Sequence, residues 1–341
     1  MRRGKIMNVA MVGVGGFGAY RRARMRETGL FRIVAAYDIN KTALEKCREE
    51  DGAKPADSYE ALLKTPGIEA VFISTGAKFH ASQAMAAMRR GLHVFIEKPL
   101  CATQREMREL ISLQKKTGVV AGCGHADHAH DAASLTIKRM IDRGDFGKIA
   151  TFEKTTAHSG GLRIKPGDWR GDPRKNPGGM LFQCGVHGIH ELMFYFGPIS
   201  AVQCAMRYDV HTTLTADVAH CILEFDSGLV GTLSAYHVTP YRHTFNIYGT
   251  RMNLYVDARF FDEGTRYLVQ PCRSNEKEEQ RPLRPSGRTD VCGNIRSFYN
   301  AVRNGGEPYP SLKDGARAVA VVFAAEEAAK TGRKVKVAKI T

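Results

Sequence analysis

The chain has 341 residues, 43% of them hydrophobic and 25% charged, with a formal net charge of +15. That length exceeds what one hydrophobic core usually fills, so two domains are expected, and the composition excludes a disordered chain. No stretch approaches the roughly 18 apolar residues of a membrane span, and the basic residues are scattered, densest at Arg21, Arg22, Arg24 and Arg26, without the aromatic interleaving of a nucleic-acid binder.

Neither a membrane nor a nucleic-acid partner is therefore expected; the excess positive charge reads first as a solvated basic surface, with an anionic ligand as the alternative. Met1 to Lys5 is short and basic, but Ile6 to Val14 is broken by Asn8 and by glycines and has no cleavage site, so no signal peptide is expected. Eight cysteines, at 47, 101, 123, 184, 204, 221, 272 and 292, show no C-x-x-C spacing. Reduced thiols in a cytoplasmic protein are expected.

From residue 6 to about 122, short apolar runs alternate with longer amphipathic ones. The predicted strands are Ile6 to Val12, Arg32 to Tyr37, Ala70 to Ile73, His93 to Ile96 and Val119 to Ala121. Helices are predicted near Gly16 to Glu27, Lys41 to Asp51, Ser58 to Leu63, Phe79 to Arg90 and Thr103 to Lys116, the last opened by a capping box of Thr103 with Glu106. This alternation makes residues 1–123 an α/β domain of Rossmann type, a doubly wound parallel sheet.

After about residue 147 extended runs dominate: Ile149 to Ala157, Ala201 to Tyr208, Val218 to Phe225, Leu229 to His237, His243 to Gly249 and Arg251 to Val256. They predict a second, α+β domain over 124–341 with an open, mainly antiparallel sheet. Helical insertions are read at Gly179 to Phe196 and Val291 to Arg303, a surface loop at 273–290, and a final helix at Leu312 to Lys330 that both domains are expected to share.

The first chemical motif is Gly13-Val14-Gly15-Gly16-Phe17-Gly18, a G-x-G-x-x-G that follows a predicted strand and opens a helix. Glycines there let the chain turn sharply, approach a pyrophosphate and pack a helix whose amides face the phosphates. Asp38 closes the second strand about twenty residues on, where a carboxylate accepts the ribose hydroxyls of an adenosine. It favours NAD, since a 2′-phosphate would be repelled, although Lys41 nearby leaves NADP open. The second motif is Glu97-Lys98-Pro99 at the end of the strand His93 to Ile96. Ligands of a doubly wound sheet bind beyond the carboxyl ends of its strands, so Lys98 lies at the mouth of the cofactor site and can polarise a substrate oxygen.

Together with Thr75-Gly76-Ala77-Lys78-Phe79-His80 and Gly91 to Ile96, these motifs resemble the Gfo/Idh/MocA family of glucose–fructose oxidoreductases, inositol dehydrogenases and rhizopine-catabolism proteins. The resemblance continues through Trp169-Arg170, Gly178 to His187 and Asp314 to Val335. It implies NAD(P)-dependent hydride transfer on a ring hydroxyl or ketone of a sugar, glycoside or cyclitol. It also implies that Lys98 is the catalytic lysine before a cis proline and that His187 is the active-site histidine. Gly13, Gly15, Gly16, Phe17, Gly18, Asp38, Thr75, His80, Glu97 and Lys98 are the cofactor-site residues so expected, and a homodimer or homotetramer is the expected assembly.

The chain departs from the family's middle helix: Gln183 stands where an aspartate is usual, and His190 replaces a second one. Glutamine hydrogen-bonds a hydroxyl but accepts no proton, so His187 becomes the expected proton acceptor and Gln183 an orienting group. On a continuous helix Gln183 and His187 share a face and His190 adjoins them. Substrate contacts are further expected from His125, by position, and from the loop residues Arg163, Trp169 and Arg170, where an indole can stack on a ring and a guanidinium meet a carboxylate or phosphate. Cys184, His187, His190 and Glu191 match no zinc signature, so no metal is expected. Two other functions share the motifs: an NAD-dependent glycosidase that oxidises its substrate transiently, and a dinucleotide-sensing regulator without catalysis.

Overall fold

The computed structural model describes residues 5–211, 213–258, 264–272 and 279–340. The first strand, β1 (Met7–Val12), is apolar along its length because both faces are covered: Val9, Ala10 and Met11 are wholly buried. There follow α1 (Phe17–Thr28), β2 (Phe31–Tyr37), α2 (Lys41–Asp51), β3 (Lys54–Pro55), α3 (Tyr59–Leu62), β4 (Ala70–Ile73), α4 (Ala77–Met88), β5 (His93–Ile96), α5 (Gln104–Thr117) and β6 (Ala121–Cys123). These strands form a parallel sheet in the order β3-β2-β1-β4-β5-β6. The order reverses between β1 and β4, the switch point at which an open α/β sheet takes its ligand. The expected capping box at Thr103 and Glu106 is present. β3 carries no periodicity in its two residues, and β6 starts at Ala121, two residues after the predicted start at Val119.

The second half begins with α6 (Ala132–Asp142), a helix capped by Asp131 that the sequence reading left unassigned. β7 (Ile149–Ala157) leads into two 3₁₀ turns, Gly160–Arg163 and Trp169–Gly171, and a π-helical turn, Leu181–Gly185. Next come α7 (Val186–Phe196), β8 (Ile199–Arg207), β9 (Val218–Phe225), β10 (Val230–Tyr236), β11 (Arg242–Gly249), β12 (Met252–Ala258), β13 (Thr265–Pro271) and β14 (Arg281–Pro282). The chain closes with α8 (Gly293–Asn304), α9 (Leu312–Thr331) and β15 (Val335–Lys336). The second sheet runs β14-β13-β12-β11-β7-β10-β9-β8-β15, and only its β7–β10 pair is parallel among the described residues. Aromatic contacts seat α7 on it: Tyr195 stacks on Phe245 at 5.3 Å between centroids and Phe196 on Phe152 at 5.3 Å. β13 was missed in sequence, and part of the segment read as a loop, Arg281–Pro282, is a strand paired with β13; residues 273–278 lie outside the described residues.

Residues up to 130 form one compact unit with Asp290–Ala316, and Asp131–Thr289 forms a second with residues from 317 onward. α8, read as an insertion in the second half, thus belongs to the first unit. The cause is aromatic: Phe298 meets Phe72 and Phe95 edge-on at 5.5 and 5.6 Å, and those two stack at 5.0 Å. All three are buried, and each such side chain contributes about 1.5–3 kcal/mol relative to exposure. α9 is divided between the groups, and β15 pairs with β8 at an edge of the second sheet.

Candidate functional site

In the first unit, the glycine loop sits between β1 and α1 at the switch point. Gly13 adopts a φ of +79°, and a Cβ there would lie 2.6 Å from the Ser74 carbonyl carbon; one at Gly18 would lie 2.0 Å from the Gly13 carbonyl oxygen. Only hydrogen fits at either position. At Gly16, the residue that starts α1, the added carbon would meet open space, so the helix N-terminus is a cradle with room for an anion. Phe17 follows, 52% exposed. Asp38, just past β2, closes this cradle: its Oδ2 accepts from the amides of Val14 at 2.8 Å and Gly15 at 3.2 Å, and its Oδ1 from that of Asn40 at 2.9 Å. The glycine steric pattern, the helix terminus and the carboxylate together fit a dinucleotide.

Thr75 follows β4 and donates from its hydroxyl to Gln83 at 2.6 Å. Two expected cofactor ligands are placed differently. His80 is buried, with Nδ1 at 2.7 Å from the Pro99 carbonyl and Nε2 at 2.9 Å from that of Thr75. As a neutral imidazole it donates to one of these two carbonyls. Burial pushes its pKa down, against the opposing pull of those carbonyls. The Glu97 carboxylate, 5% exposed, points at Arg21 of α1, accepting from its Nε at 2.8 Å and pairing with Nη2 at 2.7 Å. Both corrections have one origin: sequence position locates the backbone, while burial decides which way a polar side chain must turn to be satisfied. Lys98 itself is half-buried just beyond β5, and the Lys98–Pro99 peptide is cis. His125, by position a candidate substrate contact, is 1% exposed.

In the second unit the middle helix is not continuous. It enters through Gly179, where a Cβ would lie 2.2 Å from the Ala216 carbonyl oxygen, then runs as the π-turn Leu181–Gly185 before α7 begins. Gln183 lies in the π-turn and His187 in the first turn of α7, so the simple one-face spacing of an unbroken α-helix does not apply. Gln183 Nε2 donates to Asn176 Oδ1 at 3.0 Å; Asn176, wholly buried, donates to the Arg170 carbonyl at 2.6 Å, which Thr215 also bonds at 3.1 Å. This chain of bonds fixes the amide of Gln183 and the loop carrying Trp169, whose ring lies 4.5 Å from the Arg170 guanidinium. Arg163 is exposed at the end of its 3₁₀ turn. His187 is half-buried, whereas His190 is 2% exposed.

Sequence reasoning missed several polar residues here. His158 approaches the Cys184 sulfur at 3.1 Å, and His237 approaches Asp217 at 3.5 Å. Burial pushes the His237 pKa down despite that carboxylate, and pushes His243 down to about 4 with help from Lys154 and His158. Asn176 had a signal, a polar residue directly before Pro177-Gly178-Gly179; Arg21 had none beyond its place in a basic run. Among the described residues no group of three or more His, Cys, Asp or Glu is arranged to hold a metal, and no helix is long and apolar enough to cross a membrane.

Comparison with known proteins gives the same picture. Residues 7–125 match the model of the oxidoreductase family with an NAD-binding Rossmann fold, and residues 134–255 that of the GFO/IDH/MocA C-terminal domain. The chain is 28% identical to 1,5-anhydro-D-fructose reductase of Ensifer adhaerens, with 82% of this chain and 83% of the relative covered. It is 26% identical to scyllo-inositol 2-dehydrogenase (NAD(+)) of Bacillus subtilis, covering 96% and 95%. Levoglucosan dehydrogenase in complex with NADH shares the fold at a TM-score of 0.87 and 20% identity, covering 98% of this chain and all of that one. The chain belongs to the GFO/IDH/MocA oxidoreductase family, as an NAD-binding dehydrogenase or reductase that acts on CH–OH groups.

Proposed function

We propose that this enzyme interconverts a ring hydroxyl and a ketone of a sugar, glycoside or cyclitol, with Lys98 and His187 as its catalytic residues and Gln183 as an orienting one. The observation that carries the reading is the position of Lys98, half-buried immediately beyond the carboxyl end of β5 in the sheet whose switch point bears the glycine cradle. When bound, the nicotinamide accepts or donates the hydride. The ammonium of Lys98 donates a hydrogen bond to the reacting oxygen, favouring the developing alkoxide during oxidation and polarising the carbonyl during reduction. The imidazole of His187 takes the hydroxyl proton in one direction and returns it in the other. Gln183, its amide held by Asn176, hydrogen-bonds a hydroxyl and carries no proton.

Arg170 lies exposed beside Trp169, and Arg163 is exposed in the same loop, which supports a ring substrate bearing a carboxylate or phosphate. Asp38 favours NAD over NADP as the working cofactor. Apolar residues left exposed on the second sheet, Ile222 at 43% and Val230 at 42%, support a homodimer or homotetramer, and the free cysteines are compatible with a cytoplasmic setting.

The test is a screen of pyranoses, glycosides, uronates and inositols for reduction of NAD, followed by identification of the oxidised carbon. A ring ketone formed in step with NADH is expected. Release of free sugar without net NADH would replace this reading with the glycosidase, and binding of NAD without turnover on any substrate would replace it with the regulator.

A further inference from the structure

Two cysteines on the second sheet lie apart from the hydride chemistry. Cys204 of β8 and Cys221 of β9 are register partners in an antiparallel pair, and the Cys221 thiol donates to the Cys204 sulfur at 3.4 Å. Strand alternation places both side chains on one face of the sheet. Directly opposed residues of such a pair hold their Cα atoms about 4.5 or 5.5 Å apart. Both separations fall inside the window of about 4.4–6.8 Å that a disulfide spans. The two sulfurs can therefore join by side-chain rotation, with the strands left in place.

Access to the pair is unequal. Cys204 is partly exposed, while Cys221 is 2% exposed. Both line a groove of about 440 Å³ together with Ala328 and Arg333. Arg333 is exposed, and its guanidinium suits a carboxylate. Cys204, the more exposed of the two, is therefore the attacking group.

We propose that Cys204 and Cys221 are a reversible thiol–disulfide pair, oxidised by a small carboxylate-bearing disulfide that enters this groove. The Cys204 thiolate attacks one sulfur of the reagent, breaking its S–S bond, forming a mixed disulfide and releasing one small thiolate. The Cys221 thiol then attacks the Cys204 sulfur, forming the protein disulfide, and its proton goes to the second departing thiolate. Two protein thiols are oxidised and one small disulfide is reduced to two thiols. The other cysteines have a different placement: Cys47, Cys101, Cys123 and Cys292 are buried, Cys272 is exposed, and Cys184 lies beside His158.

The experiment incubates the full chain with oxidised glutathione, alkylates the remaining thiols and digests with trypsin. The expected product joins the peptide Asn176 to Arg207 with the peptide Tyr208 to Arg242, at a mass two hydrogens below their sum, and dithiothreitol separates them. Because the first peptide also contains Cys184, C184S must retain the link and C204S must lose it. C204S changes the more exposed partner, which keeps the comparison independent of core packing. Glutathione left on Cys204 with no internal link, or a link that survives in C204S, overturns the proposal.

Discussion

Arg21 and Glu97, 76 residues apart in sequence, form an ion pair at 2.7 Å with both side chains no more than 6% exposed. The pair joins α1, the helix that opens with the glycine loop, to the residue directly before Lys98. The Arg21 guanidinium also lies 4.8 Å from the Phe95 ring and donates to Asn294 at 3.2 Å. Removing one partner of a buried pair strands the other charge, at a cost of about 3–5 kcal/mol. R21M is thus expected to lower the urea midpoint markedly, and R21M combined with E97Q to recover much of the loss. Equal midpoints for R21M and the unmodified protein would contradict this arrangement.

Asp38 should set cofactor choice. It accepts from the Val14 and Gly15 amides and stands where the ribose hydroxyls of an adenosine would be bound. Replacing it with serine removes the charge that would repel a 2′-phosphate. D38S is expected to weaken NAD about tenfold or more, the equivalent of about 1.4 kcal/mol, and to shift the NADP to NAD ratio of kcat/KM upward. An unchanged ratio would show that the carboxylate only braces the loop.

Asn176 should act through Gln183. N176D keeps an oxygen for the Gln183 amide but no longer donates to the Arg170 carbonyl, whereas N176L loses both bonds. The expected order of kcat is unmodified, then N176D, then N176L, with NAD binding unaltered in all three. Steady-state kinetics paired with cofactor titration reads this out, and a uniform kcat would remove Gln183 from the orienting role.

His243 should contribute to acid sensitivity. Burial, Lys154 and His158 hold its pKa near 4 in the folded chain, against about 6.5 when unfolded. As pH falls the unfolded chain takes the proton first, so this stabilisation is intact above about 6.5 and is lost progressively toward 4. His80 and His237 are shifted in the same direction. Thermal midpoints of H243Q should therefore decline less steeply over that interval than those of the unmodified protein; identical slopes would exclude His243 as a contributor.

The parallel sheet was legible because its strands are continuous apolar runs and because Gly13 to Gly18 and Asp38 each have a steric or electrostatic reason to stand where they do. The place of Lys98 in the chain, just beyond the end of β5, was legible for the same reason. The orientations of His80, Glu97, His125 and His190 were not, since they depend on what fills the space around each side chain. The π-turn at Leu181–Gly185 shifts the phase of a helix without changing its composition, so periodicity could not reveal it. α8 was found as a helix but misplaced, because its partners Phe72 and Phe95 lie some two hundred residues away in sequence.

Lys98 is proposed to act on the reacting oxygen. K98M keeps a comparable stem and removes the ammonium. With a substrate identified by the screen, turnover is expected to fall below detection while NAD affinity, measured by calorimetry or fluorescence, stays within about twofold. Full activity in K98M would contradict it.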